Sequence, residues 1–356
     1  MSELFRPVSL TPIKLPPSLQ KFSAISICGG CIGPAAIDWA GGEEKCNIDY
    51  GINPETIYNQ QRFAGTFLRR NVRRMLFHDL NKEFIAAGKP PLKFGELDNA
   101  TLTSSCRYIS NLNPYRSPFH PDARTILDGT RLAISTGAKT IVIENVPGLL
   151  DRKMQPLRQE LERIIRASKM YLHDIQVLNS SDYSVAQDRR RCIINLVRRD
   201  VGRPYFPEPI IMDKSQMYLS NLIPDIIAFT AGIRKDRHCD AAGNLLYTDY
   251  RWGSPDRVVN TITASGDERI LLKGNIVRRF TIPELQMLTT AQYHNFEGLP
   301  VGILREAMGN AIMPGMLFWI LKGIRENVLG MEPIQAPERF WYPIYTPETF
   351  SNQIIL

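Results

Sequence analysis

Cys106, Glu144 and the run Arg189-Arg190-Arg191 follow one another along the chain. A thiol, an acid and a cation in that order suit covalent chemistry on an electron-poor ring. The thiol adds to a ring carbon, the acid protonates a ring nitrogen, and the cation holds the charged intermediate. Each sits where a fold can aim it. Cys106 follows Leu102-Thr-Ser-Ser105, Glu144 ends the apolar run Thr140–Ile143 before Asn145-Val-Pro-Gly148, and Arg189 to Arg191 stand between Gln187-Asp188 and the apolar run Cys192–Val197. Taken singly, each is ordinary. A lone cysteine is commonly a small buried hydrophobe, and an arginine run is commonly a solvated face.

The elements that must position these groups alternate in type. Ser23–Ile27 reads as a strand, Pro34–Ala40 as the helix after a glycine turn, and Ala123–Ser135 and Arg158–Ala167 as amphipathic helices. Thr140–Ile143 and Cys192–Val197 read as buried strands. That rhythm predicts an α/β fold, a doubly wound, mostly parallel sheet with flanking helices. The turn Cys28-Gly29-Gly30-Cys31-Ile32-Gly33 lies between strand and helix, where glycines let a nucleotide-like ligand approach the backbone. Cys28 and Cys31 also form a CxxC with Cys46 nearby, but without a second pair or histidines at ligand spacing the reading is a tight loop and no metal.

Taken together the motifs resemble the cytosine-C5 DNA methyltransferase family. Glu144-Asn145-Val146 stands where that family has ENV, and Gln187-Asp-Arg-Arg-Arg191 where it has QxRxR. Asn179-Ser-Ser-Asp-Tyr-Ser-Val185, Arg279-Phe-Thr281 with Glu284 and Leu288, and Gly309-Asn310-Ala311 with Pro314 resemble its remaining segments in the right order. The resemblance runs from about residue 23 to 322. It implies a Rossmann-like methyltransferase fold, S-adenosylmethionine as cofactor, and a cytosine flipped out of the helix. It implies Cys106 as nucleophile toward C6, Glu144 on N3 and the exocyclic amine, and Arg189 and Arg191 on the charged intermediate. Cys28, Gly30, Gly33, Asp79 and Asn310 fall on its cofactor positions, with Asp49, Glu55 and Asn59 all open as the acidic or polar ribose ligand. The sequence departs from the pattern at Ser105 and Arg107, which replace a proline and a glutamine. If Arg107 points inward it favours the thiolate over a free pKa near ~8.5; if outward, it meets a phosphate.

The 356 residues carry 44% apolar content and a net charge of +7, enough for a large core and suited to a polyanionic partner. Six cysteines without a dense framework indicate a reducing compartment. No signal-like N-terminus and no run of about 18 apolar residues stands out, so a cytoplasmic or nucleoid-associated protein without a membrane partner is expected.

The expected organisation is an arm (1–21), a catalytic domain (22–200), a small target-recognition insert (201–275), a return to the catalytic domain (276–330) and a C-terminal strap (331–356). Prolines 204, 207 and 209 break the rhythm where the insert begins. Within the insert, Arg234, Lys235, Arg237 and Arg251 are interleaved with aromatics; with Arg107 and Gln187 they are the candidate nucleic-acid contacts. The partner expected is double-stranded DNA, with a restriction endonuclease as a functional companion. The short insert keeps an RNA substrate open, and a catalytically idle nucleic-acid-binding relative is the reading of a different class.

Overall fold

The computed structural model describes residues 13, 15–30, 32–49, 67–69, 72–210, 212–233, 238–239, 245–246, 250–264, 268–294, 296, 299–337 and 339–340. Among them, β1 (Phe22–Ile27), β2 (Gly42–Asp49), β3 (Phe67–Arg69), β4 (Asn99–Thr103), β5 (Thr140–Asn145), β6 (Tyr171–Asn179) and, after the short β7 (Gln187–Asp188), β8 (Arg190–Arg198) supply a seven-stranded sheet. Its order is β3-β2-β1-β4-β5-β8-β6. The first five strands are parallel, whereas β8 runs antiparallel to both β5 and β6.

Period-two alternation sorts the strand residues onto two cores. Ile25, Ile27, Ile141, Ile143, Ile194 and Leu196 face one; Phe22, Ala24, Val142 and Ile193 face the other. Helices α2 (Phe77–Ala86), α3 (Thr125–Ser135) and α4 (Gln155–Ala167) cover the first face. On α4 the buried residues are Leu157, Leu161 and Ile165, one every four positions, so a single apolar stripe docks. Helix α1 (Ala35–Trp39) covers the second face, together with a helix near the C-terminus described below. With both faces covered, β5 is buried at every position, which explains why it reads as a continuous apolar run.

The strand order reverses at β1: β2 and β3 lie on one side, β4 and β5 on the other. In such sheets the ligand crevice opens outside the carboxyl ends of the strands at that switch point. The antiparallel β8 matters here. Asn145 at the end of β5 pairs with Cys192 near the start of β8, so the residues before Cys192 arrive at the edge where the parallel strands end.

The chain then forms α5 (Leu219–Leu222), β9 (Ile226–Ile233), the short pair β10 (His238–Cys239) and β11 (Leu245–Leu246), β12 (Tyr250–Gly253), β13 (Val259–Asn260), β14 (Arg269–Leu272) and β15 (Ile276–Arg279). Strands β12-β9-β14-β15 make an antiparallel four-stranded sheet. The expected boundary at 275 is therefore corrected: β15 pairs along its whole length with β14 and belongs to this second sheet, the turn at Gly274-Asn275 being a hairpin. Strand β13 pairs in parallel with β7 in a separate two-stranded ladder, which ties the segment after β12 to the one before β8.

Of the last helices, α6 (Ile282–Leu288) and α7 (Val301–Asn310) pack in a third core with Phe229 and Ile270 of the second sheet, and α8 (Pro314–Gly323) packs on the second face of the large sheet. A capping box starts α6: Thr281 Oγ1 accepts from the Glu284 N–H and Glu284 Oε2 from the Thr281 N–H. The stretch Val301–Val328 is apolar on average, though Arg305, Glu306, Lys322, Arg325 and Glu326 interrupt it. It is 78% buried inside the fold, as befits core helices. Ile13 and Leu19 at one end, and Ile334 and Phe340 at the other, are buried against the same core.

Candidate active site

Four strand ends converge at the carboxyl edge. Beyond β1 the backbone turns sharply, with Cys28 at φ 56° and Gly30 at φ 61°. Glycine adopts this left-handed region freely; Cys28 is strained there. Neighbouring glycines are tightly fitted as well. A Cβ on Gly29 would lie 2.9 Å from Ser26 Cβ, and one on Gly33 2.9 Å from Ile312 Cγ2. The Asn47 side chain supports the loop by donating to the Gly30 carbonyl at 3.2 Å. Its Oδ1 is buried without a hydrogen-bond partner. Thr103 Oγ1, at the end of β4, donates to the Cys28 carbonyl at 2.5 Å and couples this loop to the next.

After β4, Ser104 is buried and Cys106 half-buried in a turn whose carbonyl accepts from the Ile109 and Ser110 N–H groups at 3.0 and 2.8 Å. Asn145 anchors the turn from β5. Its Nδ2 donates to Ser104 O at 3.2 Å and Ser104 Oγ at 3.1 Å, while its Oδ1 accepts from the Val146 N–H. Gly148 completes the support: a Cβ there would lie 2.6 Å from the Ile109 carbonyl, so only glycine allows the two loops to touch. Asn145 and Gly148 are positioning residues that sequence reasoning quoted without giving them a role.

Glu144 and Arg191 occupy diagonal positions of the β5–β8 pair on one face, and Arg191 Nε donates to Glu144 Oε1 at 2.8 Å. Both are nearly fully buried. Burial pushes the Glu144 carboxyl above its ordinary pKa, opposed by Arg191 first and Arg189 second. Burial likewise raises the Cys106 thiol; Arg191 pulls it down, Glu144 pushes it up and Arg189 pulls it down again. Thiol, carboxyl and both guanidiniums thus share one electrostatic neighbourhood. Desolvation dominates, and the thiol stands above its ordinary pKa.

Several expected residues stand elsewhere than anticipated. Arg189 makes no bond to Glu144 but donates to three backbone carbonyls, Ile262 at 2.9 Å, Gly309 at 2.8 Å and Ala311 at 2.9 Å. It braces the returning chain against the site and touches no described reacting group. Gln187, expected to meet nucleic acid, is fully buried. It donates to Leu288 O and accepts from the Ile262 N–H, because the β7–β13 pairing turns it inward. Asp79, expected at the cofactor, caps α2 by accepting from the Leu76 N–H at 3.0 Å and contacts His78 at 2.9 Å. Arg107 is exposed and lies 5.7 Å over the Tyr108 ring, so it points outward. Beside the segment Arg279-Phe-Thr281, Arg278 grips Glu284 with two bonds of 2.7 Å.

Asn310 ends α7 beside Ile312, which packs on Gly33, so it borders the glycine turn. Asp49 ends β2, whereas Glu55 and Asn59 lie outside the described residues, as do Cys31, Arg234, Lys235 and Arg237. Arg251 lies on β12.

Residues 60–230 match the family described as C-5 cytosine-specific DNA methylase. The chain is 36% identical over 80 residues to the Type II methyltransferase M.XorII of Xanthomonas oryzae pv. oryzae, covering 22% of this chain and 19% of that protein. It is 26% identical over 169 residues to the Type II methyltransferase M.FnuDI of Fusobacterium nucleatum, covering 47% and 44%. The matches thus span less than half the length of either relative. Among solved structures, a Spodoptera frugiperda DNMT2 superposes with a TM-score of 0.60 at 14% identity, covering 85% of this chain and 99% of that one. The S. pombe Dnmt2 methyltransferase gives 0.56 at 14%, covering 86% and 99%. Those two likenesses bear on the fold.

Proposed function

We propose, for a chain that belongs to the C-5 cytosine-specific DNA methylase family, that it methylates C5 of a cytosine held out of a DNA duplex. The observation that carries this reading is the meeting of Cys106 with the buried Glu144–Arg191 pair at the carboxyl edge of the sheet.

The chemistry follows from these groups. The Cys106 sulfur bonds to C6 of the ring as its proton is lost. Glu144, whose carboxyl burial pushes above its ordinary pKa, would donate toward N3 in its protonated form and relieve the negative charge that develops there. Arg191 fixes the carboxyl's orientation and keeps charge balanced in a site with little water. S-adenosylmethionine, when bound, supplies the electrophilic methyl group that C5 accepts. A base then takes the C5 proton, the C5–C6 double bond re-forms and the sulfur leaves.

The residues at the switch point fit that cofactor. The glycine turn presents bare backbone, and the buried Asn47 Oδ1 offers an unused acceptor beside it. Cys28, Gly30 and Gly33 would line the cofactor, Asn310 would border it, and Asp49 at the end of β2 is our choice of ribose ligand. Asp79, with Oδ2 in its cap and Oδ1 against His78, would have to release His78 to meet the adenine amino group. Arg107 and Arg251 would face the nucleic acid. A restriction endonuclease companion, and residence in the cytoplasm or nucleoid with the DNA, complete the reading.

The test is incubation with labelled S-adenosylmethionine and either duplex DNA or RNA, followed by mass spectrometry of the nucleosides. Expected are 5-methylcytosine in DNA and, with 5-fluorocytosine at the target, a covalent adduct mapped to Cys106 and lost in Cys106→Ser. Product confined to RNA would overturn the substrate, and product formation by Cys106→Ser would overturn the mechanism.

A further inference from the structure

We infer that Arg152, Lys153 and Arg190 hold the phosphodiester backbone of duplex DNA beside the reacting base, an inference that rests on the DNA-methylating reading above. Arg190 stands between Arg189 and Arg191, and successive strand residues point to opposite faces. Arg191 turns to Glu144, so Arg190 leaves by the other face, that of Cys192, which is buried in the core beneath α4. Met154 is buried in the same core at the start of α4, and Arg152 and Lys153 precede it directly. Ile109 is buried there too, two residues after Arg107. Four exposed cations thus rim one core at the edge where β4 and β5 end and β8 begins.

Their neighbours are treated differently. On α3 and the segment before it, Arg131 and Arg124 bond to Glu160, and farther along α4 Arg166 bonds to Glu162. Among the described residues, Arg152, Lys153 and Arg190 make no side-chain hydrogen bond or ion pair, and Arg107 lies over the Tyr108 ring. The acids adjoining them in sequence are engaged elsewhere. Asp151 bonds to Arg116 at 2.6 Å, and Asp188 Oδ1 accepts from Asn179 and Ser181 at 2.6 and 2.8 Å. Arg152 and Lys153 also stand at the N-terminus of α4, the positive end of its dipole, where a cation adds nothing to helix stability.

The loops that carry these cations are braced. Arg116 bonds to both Asn111 and Asp151 and so ties the loop after β4 to the loop after β5. Arg158 Nη1 donates to the Leu150 carbonyl at 2.7 Å, and the Arg190 carbonyl accepts from Arg191 Nη1 at 2.8 Å. From β4 to β8 is two strand spacings, about 10 Å. One DNA strand presents about three phosphates over that length. Guanidinium and ammonium groups on a fixed frame meet phosphate oxygens without reading sequence, which suits a contact that sets the duplex over Cys106.

The experiment measures binding of the full-length protein to a mixed-sequence DNA duplex across a salt titration. It compares wild type, Arg190→Gln, the Arg152→Gln and Lys153→Gln double variant, and the triple variant. Arg166→Gln is the control, a like change of charge about 16 Å along α4 from its start. Each lost contact should reduce the slope of log K against log salt by about 0.9, so the triple variant should lose about 2.7. Arg166→Gln should keep the wild-type slope, and the rim variants should keep the wild-type melting temperature. An unchanged slope in the triple variant overturns the assignment. So does an equal loss per charge in Arg166→Gln, or a lowered melting temperature in the rim variants. A slope change seen with an RNA duplex and absent with DNA overturns the choice of DNA. Adduct formation at Cys106 with a 5-fluorocytosine duplex is followed in parallel. Its absence from wild type, with the slope change intact, strikes the methylation reading and leaves the phosphate contact standing. Adduct formation without a slope change strikes the phosphate contact alone.

Discussion

Arg191 lies buried against Glu144 at 2.8 Å, whereas Arg269 and Arg279 face each other across two partly exposed strands. The difference separates two tasks. A reacting group needs a fixed charge environment that water cannot screen, so its cation is buried with a counter-charge and a known orientation. A group that meets a polyanion needs instead a charge at the surface, within the ligand's reach. In the first sheet Arg191 is held by a buried acid; in the second Arg278 is held by Glu284 while Arg269 and Arg279 stand side by side. Substitutions of the buried cation should therefore act on rate, and those of surface cations that meet a polyanion on salt dependence.

The sharpest way to break this comparison is Glu144→Gln. The amide keeps the shape and one acceptor but cannot deliver a proton, and loss of a positioned general acid lowers rates by about 10² to 10⁴. Single-turnover methyl transfer at saturating DNA should fall within that range while the salt slope of DNA binding stays at the wild-type value. An unimpaired rate would make Glu144 no more than the buried partner of Arg191.

A smaller effect, and one on stability, is expected from Arg189→Met. Three carbonyls, of Ile262, Gly309 and Ala311, would lose their donor at once. Buried hydrogen bonds to a charged group contribute about 1.5–3 kcal/mol each, though not additively, and a loss of roughly 3 kcal/mol is the expected order. Urea unfolding should register it. Retention of wild-type stability together with lost turnover would instead put Arg189 on the intermediate, as the motif first suggested.

That contrast marks where the sequence is informative. The gathering of Cys106, Glu144 and Arg191 at one edge was legible because each is attached to the end of a strand whose apolar pattern is plain, and the sheet brings such ends together. The partners of Arg189 were not legible, since a backbone carbonyl leaves no trace in residue type and these lie far along the chain. Gln187 failed for a related reason: a two-residue strand has no periodicity, so nothing revealed the β7–β13 pairing that buries it. The Arg269–Arg279 pair depends on the register of a hairpin, and only that register turns two separated arginines into a cluster. The proline-rich stretch from 204 to 209 signalled a change of architecture, yet the second sheet starts at β9 and closes at β15.

Glu44 sharpens the comparison with the smallest expected effect. Like Glu144 it is an acid within the first sheet, but its hydrogen-bond partner is the Ser26 hydroxyl, donating to Oε1 at 2.5 Å, rather than an arginine. Burial raises its pKa to about 7, with the Ser26 bond opposing and Asp38 adding to the rise. The sign follows from linkage. A carboxyl that titrates near 4.5 when unfolded and about 7 when folded is favoured by the fold in its protonated form. That contribution is fully present below pH 4.5 and is lost as pH rises through about 7. Glutamine cannot ionise. Glu44→Gln should therefore match wild type near pH 4.5 and exceed it above pH 8, by about 1–2 kcal/mol once partial solvent screening is allowed for. Thermal melts of both proteins across that range decide the matter. A difference that did not change with pH would mean that Glu44 is already satisfied as a carboxylate, and that an acid in this sheet needs no cation to stay charged.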